Sequence, residues 1–155
     1  MTARRRVYID KQTPSVFKAM NGVALEVRTR AADAGLDRII MELVNVRVSQ
    51  INRCLFCLDS HSRQAVEAGE SNQRIAVLPA WRESELFSPR ERAALEIAEA
   101  VTKVSTEHLD DHTYATARKA LSDDEISVLI WAAVTINAFN RVSILSGHRI
   151  SAAPR

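Results

Sequence analysis

The chain has 155 residues, of which 46% are hydrophobic and 26% are charged, proportions typical of a globular protein rather than a disordered one. Its 21 lysine and arginine residues nearly balance its 19 aspartate and glutamate residues. The one basic cluster is Arg4-Arg5-Arg6, so the composition does not indicate a nucleic-acid-binding surface. With only 4 glycines and 4 prolines, the chain lacks the turn every 8–12 residues or so that β-sandwiches and barrels need. The length suits one domain over residues 1–155.

No segment reaches the run of about 18 apolar residues that crosses a membrane. Residues 126–139 come nearest, but Ser127, Thr135 and Asn137 interrupt them. The N-terminus carries charge without the apolar stretch of a signal peptide. We therefore expect a cytoplasmic protein that uses no membrane.

Helix signals follow one another along the chain. Residues 7–15 are expected to be irregular, with Pro14 closing them. Asn52 is expected to cap one helix and Gly69 to end it. Ser88 and Ser122 each open a capping box. The expected helices cover 16–34, about 37–51, 53–68, a short segment from Ser71 to Pro79, a segment behind Ser88, 110–120, and about 123–146.

These signals predict an all-α fold, a compact single-domain bundle of about six or seven helices. The last helix is apolar nearly all round, which indicates a central buried helix or one at a subunit interface. Asn137, Asn140 and Arg141 on that helix are expected to satisfy buried polar groups or to pair across a subunit contact. Trp81 and Trp131 are expected to be core or interface anchors.

The residues that could carry out a reaction lie between residues 42 and 69. Cys54, Cys57 and His61 fall at positions i, i+3 and i+7 of one predicted helix and so share a face. Side chains three apart lie about 5–6 Å from each other, within reach of a disulfide. Glu42 lies twelve residues before Cys54 on the preceding helix, from which a short turn could bring it to face the pair.

A cysteine must become a thiolate before it can attack, and its free pKa is about 8.5. The helix N-terminus favours Cys54 as the thiolate, whereas His61, one turn beyond, favours Cys57. Physical reasoning from the sequence leaves this choice open.

Two other roles for the cysteines come from the same residues. Two thiolates and His61 could bind zinc with His108 or His112 as a fourth ligand, although the distant second pair of a structural zinc site is missing. The pair could also be a non-catalytic thiol–disulfide switch or binding module.

Glu42, Cys54, Cys57 and His61 at these spacings resemble the active-site motif of the alkylhydroperoxidase D-like, or carboxymuconolactone decarboxylase, superfamily. The surrounding segments, ELVNVRVSQINRCLFCLDSHSRQAVEAGES and INAFNRVSI, are similar to its small single-domain members too. The resemblance implies an all-helical fold that assembles into homotrimers or homohexamers. It also implies a peroxidase that binds no cofactor and acts on hydrogen peroxide or organic hydroperoxides.

By the same resemblance, Cys57 attacks the peroxide and becomes a sulfenic acid, and Cys54 then condenses with it to a disulfide. Glu42 and His61 form a proton relay, and a dithiol donor, lipoyl-like or thioredoxin-like, restores the pair. One position departs from the family. The best-known members carry a histidine immediately before the second cysteine, where this chain has Phe56.

Overall fold

The computed structural model describes residues 6–152, so Arg4 and Arg5 of the basic cluster lie outside it. The described part is helical and holds no β-strand, which confirms the all-α prediction. It contains eight α-helices, one short helix more than the upper expectation, and one 3-10 helix at Leu78–Glu83. The α-helices are α1 (Ile9–Gln12), α2 (Pro14–Asp33), α3 (Arg38–Asn52), α4 (Leu55–Glu67), α5 (Asn72–Val77), α6 (Pro89–Thr102), α7 (Asp111–Ala117) and α8 (Asp123–Ser146).

The N-terminal segment is more ordered than the sequence predicted. Residues 7–15 were expected to be irregular, but they contain the single turn of α1 and the start of α2. Pro14 opens α2 and does not close a loop, because its fixed φ and missing N–H suit the first turn of a helix. Ile9 donates its backbone N–H to the Ser146 hydroxyl at 3.2 Å, so α1 lies against the end of α8.

Helices α3, α6 and α8 pack against one another at the centre, with α4 on α3 and α2 on α8. Capping boxes start α6 at Ser88 and α8 at Ser122, as the sequence predicted. Val44, Val48, Ile97 and other buried side chains of these helices form one continuous apolar cluster. The site described below lies where α3, α4 and α8 meet.

Helix α8 is the one helix among residues 6–152 that is long and apolar enough to cross a membrane. It packs on α2, α3 and α6, and it buries Glu125, Asn137 and Asn140 as well as apolar residues. This is the pattern of the core helix of a bundle. Trp131 on the same helix is 57% exposed, so it is not the core anchor that was one of its two expected roles.

Trp81 is a core residue, as expected, and it reaches a buried carboxylate. Its indole N–H donates to Glu99 at 2.8 Å, and Arg47 and Arg82 donate to the same side chain at 2.7 Å. Burial opposes ionisation, but these hydrogen bonds hold the pKa of Glu99 near 2. An ionised carboxylate thus joins the 3-10 helix and α3 to α6.

Candidate active site

The junction of α3 and α4 places the cysteines, and it differs from the expectation that Asn52 caps α4. Asn52 is the last residue of α3, and Arg53 follows with φ 54°, in the left-handed region. Cys54 is the N-cap of α4, and its Sγ accepts a hydrogen bond from the Cys57 backbone N–H at 3.4 Å. Cys54 therefore lies just before the first turn and not within it.

Asn52 does not cap α4 because its amide is used elsewhere. Its Nδ2 donates to Oδ1 of Asn137 at 2.8 Å and to Oδ1 of Asn140 at 2.9 Å. Asn140, fully buried, donates in turn to the Ser49 hydroxyl at 3.1 Å. These bonds join the junction to α8 and confirm that Asn137 and Asn140 satisfy buried polar groups.

The two thiols are free and buried, and they differ in acidity. The hydrogen bond from Cys54 contributes most to stabilising the Cys57 thiolate, against the opposing effect of burial. Hydrogen bonds from Asn140 and Ser143 and the charge of His61 stabilise it further. Together they lower the pKa of Cys57 to about 6. The same hydrogen bond, with burial, raises the pKa of Cys54 well above its usual value. The lowered pKa favours Cys57 as the thiolate of the pair, because Asn140 and Ser143 of α8 and the imidazole of His61 act on it.

Access distinguishes the cysteines as well. Cys57 lines a cavity of about 200 Å³, whereas Cys54 is completely buried. His61 lies on the cavity wall beside Cys57. The remaining wall is formed by four apolar residues, Phe17, Phe56, Phe139 and Val142, and by four polar ones, Asp10, Ser60, Ser143 and His148.

Glu42 faces His61 directly. Its Oε2 lies 2.7 Å from His61 Nδ1, and its Oε1 accepts from Arg38 at 2.7 Å. Asn45 donates to Oε2 at 3.3 Å. Burial alone would raise the pKa of Glu42, but the hydrogen bonds from His61, Arg38 and Asn45 lower it below its usual value.

An ionised Glu42 has a chemical consequence for the histidine. A carboxylate only accepts hydrogen bonds, so Nδ1 of His61 carries the hydrogen and Nε2 is left to exchange a proton. The arrangement can therefore take a proton from a thiol or give one to a leaving oxygen.

All four residues predicted from the sequence come together at this place. Sequence reasoning missed two others, Ser143 as a partner of Cys57 and His148 on the cavity wall. Both stand far from the cysteines in the chain, and no spacing rule links them to the motif. Asn140 was expected mainly to satisfy buried polar groups, and it also helps to lower the pKa of Cys57.

The sequence left zinc binding open as another role for the cysteines. Between residues 6 and 152, no three histidine, cysteine or acidic side chains are grouped so that they could hold a metal ion. His108 and His112, the suggested fourth ligands, are exposed on the segment before and within α7.

Comparison with known proteins agrees with the motif. The family model of the carboxymuconolactone decarboxylase family matches residues 14–100, more than half of the chain. The chain belongs to the carboxymuconolactone decarboxylase family. It is 35% identical over 127 residues to the uncharacterised protein YdfG of Bacillus subtilis (strain 168), a match that covers 82% of this chain and 86% of YdfG. It is also 40% identical over 76 residues to the uncharacterised protein YnjA of Escherichia coli (strain K12), 49% of this chain and 41% of YnjA.

A solved structure shows the same fold over nearly the whole chain. A crystal structure from Agrobacterium tumefaciens superposes with a TM-score of 0.88 at 31% identity, covering 97% of this chain and 100% of that one. That protein is of unknown function and has been suggested to be the antioxidant defence protein AhpD. Membership of the carboxymuconolactone decarboxylase family is consistent with an enzyme.

Proposed function

We propose that the protein is a thiol-dependent peroxidase that reduces hydrogen peroxide or organic hydroperoxides. One observation carries this proposal: Cys57, the cysteine with the lowered pKa, is also the one at the cavity, with Cys54 within hydrogen-bonding reach behind it. A thiolate that small molecules can reach, with a second thiol beside it, suits a two-cysteine reduction cycle.

In the proposed reaction, the Cys57 thiolate attacks the terminal oxygen of the hydroperoxide. The S–O bond forms as the O–O bond breaks, so sulfur is oxidised to a sulfenic acid and the peroxide is reduced to an alkoxide. The alkoxide takes a proton from the imidazolium of His61, which Glu42 holds at 2.7 Å. Cys54 then attacks the Cys57 sulfur, water leaves, and a disulfide remains.

Recovery of the pair needs two electrons from outside. We infer that an external dithiol, lipoyl-like or thioredoxin-like, reduces the disulfide by thiol–disulfide exchange, with no bound cofactor in the cycle. A reducing cytoplasm would supply such donors. This cycle needs neither nucleic acid nor a membrane.

We also propose that the protein forms a homotrimer or homohexamer. A groove between α2 and α8 is lined by the apolar residues Val23, Val27, Val128 and Trp131 and by the charged residues Glu26, Arg30, Asp33 and Asp124. Val23 and Trp131 are 46% and 57% exposed. Contiguous apolar surface of this kind marks interaction sites, and a second copy of the chain would cover it.

The test of the activity is steady-state peroxide consumption with dihydrolipoamide as the electron donor. We expect many peroxide molecules to be consumed per protein chain, and none beyond background by Cys57→Ser. A single consumption event per thiol pair, with no turnover on added dithiol, would instead identify a redox switch and contradict the enzyme.

A further inference from the structure

The wall of the cavity that His61 and Cys57 line carries a second histidine, His148, that the proposed reaction does not use. His148 follows the end of α8, where Gly147 ends the helix with φ 70°. This left-handed turn, which glycine adopts without strain, brings the His148 backbone N–H to the Ser143 carbonyl at 3.0 Å. The imidazole is thereby folded back over the last turns of α8.

Both ring nitrogens of His148 have a partner. Nε2 lies 3.1 Å from Oδ1 of Asp10, and Nδ1 lies 3.3 Å from the Ser143 hydroxyl. Because a carboxylate can only accept, Nε2 carries the hydrogen, and Nδ1 is left as an acceptor for the Ser143 hydroxyl in the neutral ring. The side chains of Asp10 and His148 are 14% and 16% exposed, so the pair is largely shielded from water.

Ser143 connects this pair to the reactive sulfur. Ser143 and Cys57 line the same cavity, and the Ser143 hydroxyl is one of the groups that stabilise the Cys57 thiolate. A serine hydroxyl has one hydrogen to donate and can accept others. It can therefore pass a proton between a thiol on one side and an imidazole on the other.

We propose that Asp10, His148 and Ser143 form a second proton path to Cys57, independent of Glu42 and His61. The Cys57 proton moves to the Ser143 oxygen while the Ser143 proton moves to Nδ1 of His148. The products are a thiolate, an unchanged hydroxyl and an imidazolium paired with the Asp10 carboxylate. In the peroxidase cycle, on which this part of the inference rests, the imidazolium returns its proton through Ser143 to the departing alkoxide.

Several charged or titratable groups surround His148 and enter any pH profile. The N-terminal segment contributes Tyr8 and Asp10, which contact the ring, and α4 contributes Cys57 and His61, which line the same cavity. Arg6 lies close by and donates to the Ile144 carbonyl at 3.0 Å. The ring also contacts Phe56 edge-on at 5.5 Å between centroids. His148→Phe therefore keeps an aromatic ring at this position and removes both nitrogens.

The experiment measures Cys57 itself and does not depend on peroxide. In a Cys54→Ser background, which keeps a hydroxyl donor beside Cys57, the thiolate is titrated by its ultraviolet absorbance and by its alkylation rate against pH. We expect His148→Phe to raise the Cys57 pKa and, at pH values below that pKa, to slow alkylation about 10-fold, since one pKa unit there changes the thiolate fraction tenfold. Ser143→Ala should do the same, and the double variant should lose no more than either single variant.

Two further variants separate a proton path from a structural clamp. Asp10→Asn retains an oxygen that accepts from Nε2 but removes the negative charge. If the three residues form a proton path, this variant should be alkylated more slowly. If they only hold the structure together, its alkylation rate should not change. His108→Phe, at an exposed histidine, is the matched control and should leave the profile unchanged.

A Cys57 profile in His148→Phe and Asp10→Asn equal to that of His108→Phe would overturn the inference. The inference would also be overturned if the double variant slowed alkylation by the product of the two single effects of His148→Phe and Ser143→Ala, because the two side chains would then act separately. If alkylation depends on His148 while the wild-type protein consumes no peroxide, the proposed peroxidase function fails and the proton path stands.

Discussion

At the scale of single residues, Glu42 shows why its type and position matter. An isolated glutamate on a helix is usually solvated, but this one is 1% exposed and accepts from Arg38, Asn45 and His61. Such a carboxylate stays ionised and fixes the orientation of the imidazole. The twelve-residue spacing to Cys54 thus corresponds to a direct contact between Glu42 and the histidine of the motif.

Glu42→Gln tests whether this contact is chemical. The amide keeps the size but cannot balance an imidazolium, so we expect peroxide reduction to slow by about 10²–10⁴-fold, the range of general acid–base catalysis. The loss should shrink as pH rises, because the thiolate then forms without help. The measurement is the pH–rate profile of the first turnover.

Glu67→Gln, at an exposed position of α4, is the matched control. A Glu42→Gln profile within a few-fold of this control at every pH would reduce Glu42 to a structural role. Because Glu42 is buried with three partners, its substitution should also lower the free energy of unfolding by about 1–3 kcal/mol. This loss of stability does not alter the shape of the pH–rate profile of the folded protein.

The sequence predicted the part of the site that lies in one local pattern. Glu42, Cys54, Cys57 and His61 belong to two successive helices, and helical periodicity places them on facing sides. Ser143 and His148 escaped prediction because only the tertiary packing of α8 on α4 brings them to Cys57. Side chains that meet only in the folded structure, from segments far apart in the chain, leave no periodic pattern in a single sequence.

At the scale of elements, the helices were predictable and one junction was not. Capping boxes, proline positions and terminal glycines are local, and most of them mark the observed ends. Asn52 carries the chemistry of a helix cap, but the buried amides of Asn137 and Asn140 compete for it successfully. The cap of α4 then passes to Cys54, which orients the reactive pair.

Arg53 bears the conformational cost of this junction. Its φ of 54° is unfavourable for a residue with a Cβ. Arg53→Gly should raise the free energy of unfolding by about 0.5–1 kcal/mol, because the relief of strain exceeds the added entropy of the unfolded chain. Urea denaturation measures the change.

Arg53→Ala is the control for the lost side chain, since alanine retains the Cβ and hence the strain. Equal stability of the glycine and alanine variants would show that the left-handed residue costs nothing here.

At the scale of the whole molecule, α2 and the neighbouring part of α8 leave apolar side chains exposed to solvent. Helix α2 spans twenty residues yet buries only Ala31, and the neighbouring Trp131 of α8 is 57% exposed. A helix so little buried in its own chain would gain stability from contact with another subunit. The predicted trimer or hexamer would place this surface at an interface.

Trp131→Glu should break that assembly. Burying a carboxylate in an apolar contact is strongly unfavourable, so we expect light scattering at micromolar concentration to show a smaller mass than for the wild-type protein. Val104→Glu, at a residue that is 59% exposed elsewhere on the surface, should leave the mass unchanged. A monomeric wild-type protein would contradict the proposal.

The central claim is that Cys57 is the cysteine that attacks peroxide and that Cys54 resolves it. It is tested most directly by treating Cys54→Ser and Cys57→Ser with one equivalent of peroxide and a sulfenic-acid trap, followed by peptide mapping. We expect a trapped adduct on Cys57 in the Cys54→Ser protein, no adduct in Cys57→Ser, and a Cys54–Cys57 disulfide in the wild-type protein. An adduct on Cys54 in Cys57→Ser would reverse the roles, and unmodified cysteines in all three proteins would contradict the peroxidase itself.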